Sequence, residues 1–307
     1  MNKLSINIII LGAGQGTRMK SKKPKVLHEI ANFSMLEIVN KVSEELTSKK
    51  NIVNLISKEV EQYSEFKINN PVIQEDRLGT GHAVKIAVEN FDLIQEKTVI
   101  LYADTPLVKI KTIESMLKQN YDLILCGFEV SDISKKYGRI ITNHSNKDFS
   151  EIYKLVEYKD ATHEEKEETL CNAGIMVIKT SLLKELIFKI DNNNEAKEFY
   201  LTDLVKLTQQ KNQQAFVYHA SELEFQGANS RKELAELDAT LQDNLKSEHM
   251  DNGVTFMLPN TTYISYDTEI ENDCIVEPNV FIGKGVKIHS GVRIKSFSRL
   301  EDCEIKS

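Results

Sequence analysis

Seven aliphatic residues, Ile264, Ile270, Val276, Ile282, Ile288, Ile294 and Leu300, stand six positions apart without a miss. A second column of small or β-branched residues runs at the same interval through Thr268, Cys274, Val280, Val286, Val292 and Ser298. A six-residue period fits neither the turn of a helix nor the two-residue alternation of a half-buried sandwich strand. It is the period of a parallel β-helix, in which each short strand forms one face of a prism and turns its aliphatic residue inward. Residues 251–307 are therefore expected to form a short hexapeptide-repeat β-helix. No capping segment follows the repeat, so the last coil is expected to expose its edge.

Upstream the pattern is different. Short apolar runs alternate with longer amphipathic stretches, which predicts an α/β domain with a mostly parallel sheet. The expected strands are Ile6–Leu11, Asn51–Ile56, Thr98–Ala103, Asp122–Val130 and Ala173–Lys179, and helical spacing covers Ser34–Leu46, Gly81–Asn90 and Thr112–Gln119. Leucines at helical intervals among charges from Ser230 to Met250 predict a connecting helix. The expected organisation is thus 1–229 as the α/β domain, 230–250 as a linker helix and 251–307 as the β-helix.

A net charge of -7 argues against a nucleic-acid-binding surface. Four cysteines, Cys126, Cys171, Cys274 and Cys303, lie far apart with no CxxC pair, which suggests neither a zinc site nor a disulfide framework and fits a reducing cytoplasm. The apolar run Ile6–Leu11 is too short to span a bilayer, so no membrane partner is expected.

The local exception to the acidic balance is Leu11 to Lys25, LGAGQGTRMKSKKPK. Gly12, Gly14 and Gly16 let the backbone approach an anionic ligand and present N–H groups to it. Their GxGxG spacing is not the dinucleotide fingerprint GxGxxG, which weighs against a nicotinamide-dependent oxidoreductase, and the GxxxxGK of a Walker loop is absent. Arg18, Lys20, Lys22, Lys23 and Lys25 follow at once. Attached to such a loop they read as a phosphate clamp, with Arg18 and Lys25 as its working members and the other lysines solvated.

Two further segments admit two readings each on their residues alone. Gln74 to Ala83, QEDRLGTGHA, is either a glycine turn with Thr80 as helix cap or a site where Gln74 and Thr80 meet the edge of a base. Asp104, at the carboxyl end of an expected parallel strand, is either a helix cap or a carboxylate placed for Mg²⁺.

The stretch from Leu11 to Lys25, with GxGTRM followed by PKVLH, resembles the sugar-1-phosphate nucleotidyltransferases, and closely the uridyltransferase half of the bifunctional GlmU family. The similarity runs over essentially the whole chain. It implies a Rossmann-like nucleotidyltransferase domain followed by a left-handed β-helix. It also implies transfer of UMP from UTP to N-acetylglucosamine 1-phosphate, giving UDP-N-acetylglucosamine, a precursor of peptidoglycan and lipopolysaccharide, and pyrophosphate. A pyrophosphorylase for another sugar 1-phosphate or nucleotide is the alternative. By the resemblance, Leu11, Gly12, Ala13, Gly14 and Lys25 hold phosphates, Gln74, Gly79 and Thr80 hold uracil, and Asp104 and Asn229 hold Mg²⁺. Tyr102, Ala103 and Asp104 form a YAD where the family has YGD, and Gly12 stands where the family's LAAG has alanine. YGRI, LVEYKDA and CNAGI match sugar-binding segments, which implies contacts from Gly138, Glu157 and Asn172, with Tyr200 and Thr202 shaping the pocket. No histidine base is needed, because a sugar phosphate is already an anionic nucleophile. The family's β-helix is longer, trimerises and carries an acetyltransferase site. The chain ends before that region, so acetyltransferase activity is expected to be absent, and the shortness of the repeat leaves a homotrimer open.

Overall fold

The computed structural model describes every residue except 1, 2, 15, 146, 147 and 307, so Gln15 of the glycine loop lies outside it. In chain order the α/β part contains β1 (Ile6–Leu11), the small hairpin β2 (Glu29–Ile30) and β3 (Phe33–Ser34), α1 (Met35–Leu46), β4 (Ile52–Ile56), α2 (Lys58–Tyr63), β5 (Pro71–Ile73), α3 (Thr80–Asn90), β6 (Lys97–Tyr102) and α4 (Ile110–Leu117). It continues with β7 (Leu123–Glu129), β8 (Arg139–Ser145), β9 (Phe149–Val156), α5 (His163–Lys166), β10 (Leu170–Lys179), α6 (Thr180–Leu186), α7 (Asp203–Gln210) and β11 (Ala215–His219).

Nine of these strands form one sheet in the order β5-β4-β1-β6-β10-β7-β11-β9-β8. Strand β1 is buried along its whole length, as a strand covered on both faces must be. Its Ile8 and Ile10 belong to the apolar cluster on one side of the sheet, and Ile9 and Leu11 to the cluster on the other. Parallel pairing joins β5, β4, β1 and β6, and also β7 and β11. Strands β10 and β9 run against their neighbours, so seven strands point one way while half of the neighbouring pairs are antiparallel. The expected strands are present. The β8–β9 hairpin, β5 and β11 were not expected: polar and charged residues interrupt β8 and β9, and β5 and β11 are runs of only three and five residues.

The connecting helix α8 (Arg231–Asp251) begins on Ser230, whose side chain accepts the Glu233 N–H. Its Leu237 and Leu241 pack with Ile30, Phe33 and Ile38 of the first part. Its Gln242 is buried and bonds both backbone groups of Ile264, donating to the carbonyl at 2.6 Å and accepting from the N–H at 2.9 Å. The amide thus stands where a further coil would otherwise pair with the first turn of the prism.

The C-terminal part is a left-handed parallel β-helix of two-residue strands: β12 (Thr255–Phe256), β13 (Tyr263–Ile264), β14 (Glu269–Ile270), β15 (Ile275–Val276), β16 (Phe281–Ile282), β17 (Lys287–Ile288), β18 (Arg293–Ile294), β19 (Arg299–Leu300) and β20 (Glu304–Ile305). They stack into three short sheets, with Ile264 over Ile282 and Ile282 over Leu300. Every member of the aliphatic column is buried except Leu300, which is half-buried. The corners follow the same period: Asp273, Asn279, Gly285, Gly291 and Phe297 all carry positive φ.

Candidate functional site

Strand β1 is flanked by β4 on one side and β6 on the other, so the chain reverses its direction of travel across the sheet between them. Loops leaving the carboxyl ends of two such strands diverge and leave a crevice, the usual ligand position in an open α/β sheet. Leu11 and Tyr102 are in register there, and the Ala103 N–H donates to the Leu11 carbonyl at 3.0 Å. The glycine loop therefore leaves on one side of the crevice and Asp104 on the other.

Two adjoining cavities of about 300 and 380 Å³ open above this point. The first is lined by Leu11, Gly12, Ala13, Gly14, Lys25, Gln74, Gly79 and Thr80, all singled out from the sequence. Gly138, Glu157, Asn172, Tyr200 and Asn229 line the second. Thr80, Tyr102, Asp104 and Glu198 border both, so a molecule with two ends can lie across them.

A largely buried ion pair lies at the seam. Lys25 is 8% exposed, and its ammonium forms an ion pair with Asp104 and donates to the Asn229 Oδ1 at 2.9 Å. A carboxylate and a carboxamide oxygen thus converge on one cationic centre, although they come from segments 125 positions apart. Both are hard oxygen donors of the kind Mg²⁺ accepts, and Mg²⁺ needs only one or two protein ligands beside phosphate oxygens. The donor set fits that ion. Among the described residues no cluster of three or more His, Cys, Asp or Glu side chains offers an all-protein metal cage.

Glu233 was not singled out from the sequence. Its carboxylate accepts the Asn229 N–H at 2.8 Å and the Ser230 hydroxyl at 3.1 Å, which fixes the turn that presents Asn229. Those bonds, with Arg18 nearby, hold its carboxyl below the usual range against the opposing effect of burial. The signal was the Ser-x-x-Glu pattern at the start of α8. Arg18 itself is exposed and borders neither cavity. Ala103 also borders neither. It is fully buried behind the loop, where a β-carbon on Gly12 would come within 3.3 Å of its own.

In the first cavity Gln74 is 5% exposed, and its amide nitrogen lies 3.4 Å from the His82 Nδ1. Thr80 does not cap α3, whose N-cap is Gly79. Its hydroxyl instead accepts the Leu201 N–H at 3.1 Å. The Phe199 N–H donates to the Leu78 carbonyl and the Gly81 N–H to the Phe199 carbonyl, both at 2.8 Å. Residues 78–81 are thereby stitched to 199–201. Gly79 has φ +113°, and a β-carbon there would meet the Phe199 carbonyl at 2.6 Å, so both conformation and space demand glycine.

The same strap continues into the second cavity. The Thr202 hydroxyl donates to the Glu157 Oε1 at 2.9 Å, and burial pushes the Glu157 carboxyl up despite that bond. Thr202 acts through Glu157 and does not line the cavity itself. Asn172 is presented where β10 bulges between Asn172 and Met176, with its Oδ1 accepting the Gly174 N–H at 3.0 Å. Gly174 has φ +83°, and any side chain there would strike the Tyr102 ring. Burial, followed by Glu157, raises the Tyr102 hydroxyl, which keeps it neutral at the seam. Lys136, Tyr137, Phe128 and Phe225 complete this wall, and nothing in the local sequence marked them apart from the YGRI segment.

Comparison with known proteins fits this architecture. A family model described as a MobA-like NTP transferase domain matches residues 8–130, and one described as bacterial transferase hexapeptide (six repeats) matches residues 267–302. Among solved structures, a UDP-glucose pyrophosphorylase complexed with UDP-glucose aligns with TM-score 0.60 at 18% identity, over 78% of this chain and 100% of that one. The inositol-1-phosphate CTP transferase from T. maritima aligns with TM-score 0.56 at 13% identity, over 78% and 98%. At such identities the likeness concerns the fold alone. Curated relatives are much nearer in sequence. The bifunctional protein GlmU of Campylobacter jejuni is 38% identical over 88% of this chain, which spans 62% of that relative's length. The bifunctional protein GlmU of a Ruegeria species is 39% identical over 98% of this chain and 67% of its own length. With that identity, that coverage and the hexapeptide repeats following an NTP transferase domain, the chain belongs to the GlmU family.

Proposed function

We propose that the chain transfers UMP from UTP to N-acetylglucosamine 1-phosphate, forming UDP-N-acetylglucosamine and pyrophosphate. The observation that carries this reading is the convergence of Lys25, Asp104 and Asn229 at the seam between two cavities. The first cavity pairs a glycine loop with Gln74, suited to phosphates and a pyrimidine edge, and the second offers Glu157 and Asn172, suited to hydroxyl and acetamido groups. Membership of the family supports the same assignment, and we take 1–229 as the transferase domain, 230–250 as linker helix and 251–307 as β-helix.

In this reading an oxygen of the sugar phosphate attacks the α-phosphorus of UTP in line, and the bond to the β-phosphate oxygen breaks to release pyrophosphate. No proton has to be removed from the nucleophile, so the work of the protein is positioning and charge neutralisation. The N–H groups of Ala13 and Gly14 and the Lys25 ammonium face the phosphates, and Arg18 meets the leaving pyrophosphate at the loop's outer rim. Glu157 and Asn172 orient the sugar, with Thr202 aiming Glu157. Asp104 and Asn229 would hold Mg²⁺, which supplies positive charge beside the phosphates when bound. The four free thiols are in keeping with a reducing cytoplasm, and no helix among the described residues is long and apolar enough to cross a membrane. A homotrimer through the β-helix is part of the proposal.

The test is pyrophosphate release by the purified chain with Mg²⁺ across a panel of nucleoside triphosphates and sugar 1-phosphates. UTP with N-acetylglucosamine 1-phosphate should be preferred, and Asp104→Asn should reduce release by about 100-fold or more, as loss of a charge-stabilising group at a transferring phosphate does. Full activity of Asp104→Asn would overturn the cation assignment.

A further inference from the structure

Arg139 is the largest of the fully buried side chains, with no exposed surface. A buried guanidinium ordinarily faces a carboxylate, but among the described residues none pairs with Arg139. Its donors go instead to backbone oxygens: Nη2 to Ile133 at 2.7 Å and Lys135 at 3.0 Å, Nη1 to Tyr137 at 2.9 Å, and Nε to Lys166 at 3.3 Å. Nη1 also reaches the Cys171 Sγ at 3.0 Å, and the group lies 5.2 Å from the centre of the Tyr158 ring.

Three of those carbonyls belong to one loop, residues 131–138, between β7 and β8. That loop supplies Lys136, Tyr137 and Gly138 to the second cavity. Outside it is held by an ion pair between Lys135 and Glu222, and at its end the Asn172 N–H donates to the Gly138 carbonyl at 2.9 Å. Arg139 and Cys171 are register partners, so the strand that carries the guanidinium is the one beside Asn172. The other lining groups that carry charge are the carboxylates Asp104, Glu157, Glu198 and Glu233, which leaves Lys136 as the cation on this side. Only a planar fork with five donors can bond several diverging carbonyls at once, and a lysine ammonium in the same place cannot span them.

We propose that Arg139 is a positioning residue that holds the 131–138 loop against the sugar half of the cleft and so sets affinity for the sugar phosphate without touching it. The inference rests on the transfer reaction proposed above for its kinetic consequence, while its structural part stands independently.

The experiment compares wild type with Arg139→Lys, which keeps the buried charge, and with Glu222→Gln, which cuts the outer tether at the surface. Hydrogen exchange of the 131–138 amides should accelerate in Arg139→Lys while β7 and β10 stay protected. KM for the sugar phosphate should rise roughly 10- to 100-fold, the scale of an ångström-size misplacement, with KM for UTP nearly unchanged. Glu222→Gln should shift both readouts in the same direction by less. A purely structural role would lower the melting temperature and the active fraction but leave the ratio of the two KM values alone, and that result would overturn the proposal. Unchanged exchange in the loop would overturn it as well, whether or not the wild type turns over. Absence of wild-type turnover together with accelerated exchange would instead refute the reaction and leave the positioning role standing.

Discussion

Gly12 and Ala103 depart from the family's usual LAAG and YGD in opposite senses, one losing a methyl group and the other gaining one, and the structure puts them against each other. A β-carbon on Gly12 would lie 3.3 Å from the Ala103 β-carbon, 3.5 Å from the Leu55 carbonyl and 3.6 Å from the Ile56 methyl. Carbon atoms pack best at about 3.5–4.0 Å, so Gly12→Ala alone must push Ala103 or the loop by a few tenths of an ångström. The backbone at Gly12 is not in the left-handed region, and on that ground alone alanine would add stability of about 0.4–1 kcal/mol. Overpacking a closed site costs about 1–3 kcal/mol, so the net effect should be a loss of about 1 kcal/mol. The Gly12 N–H also bonds the Leu55 carbonyl at 2.7 Å, so the shift should carry into the N–H groups of Ala13 and Gly14 and depress turnover more than stability. Adding Ala103→Gly should relieve the clash. A double-mutant cycle followed by thermal melts and by pyrophosphate release should give a favourable coupling of about 1 kcal/mol, within the range for touching residues. Additivity within about 0.3 kcal/mol would refute the compensating contact.

Other consequences follow from single contacts. Lys25→Met removes the ammonium that joins Asp104 to Asn229 and should lower kcat by about 100- to 1,000-fold in the same assay. Gly79→Ala forces a side chain into the Phe199 carbonyl at positive φ and should cost about 1–3 kcal/mol in chemical denaturation, raising KM for UTP. Phe297 sits at a corner of the β-helix with φ 64° and is 82% exposed, so Phe297→Gly should raise stability by about 1 kcal/mol in the same denaturation experiment, since little packing is lost. Glu277 accepts hydrogen bonds from Arg293, Lys295 and the Ser296 N–H, which hold its carboxyl down at about 2. A carboxyl lowered on folding stabilises above its unfolded value of 4.5 and loses that contribution as pH falls toward 2. The melting-temperature gap between wild type and Glu277→Gln should therefore close over that window.

How far the sequence could be read depended on the range of the interaction. The six-residue column was legible because the inward position of a prism recurs locally, and the corner positions repeat with it. That Ile264 stacks over Ile282 was not, since the number of faces per coil does not show in the period. Strand β1 was clear because burial on both faces leaves a nearly unbroken apolar run, whereas β9, next to the edge strand β8, carries Glu151 and Lys154 and gives no such run. In the site, the glycine loop announced itself by composition. Asn229 did not, because an asparagine in a turn has no distinguishing neighbour and meets Lys25 only through tertiary folding. The strap from Phe199 to Thr202, which joins the two cavities, combines two backbone–backbone hydrogen bonds with bonds to the Thr80 hydroxyl and the Glu157 carboxylate, partners too distant along the chain for a local pattern to record. Arg18, marked by its position after the glycines, lies at the loop's outer rim.

In the proposed reaction the two cavities hold the two ends of one product, joined across Lys25, Asp104 and Asn229. Phosphorus NMR of the purified chain incubated with Mg²⁺, UTP and N-acetylglucosamine 1-phosphate follows that product directly. UDP-N-acetylglucosamine and pyrophosphate should appear in equal amounts as both substrates disappear. UTP left intact, or consumed to UMP and phosphates with the sugar phosphate untouched, would contradict that reaction.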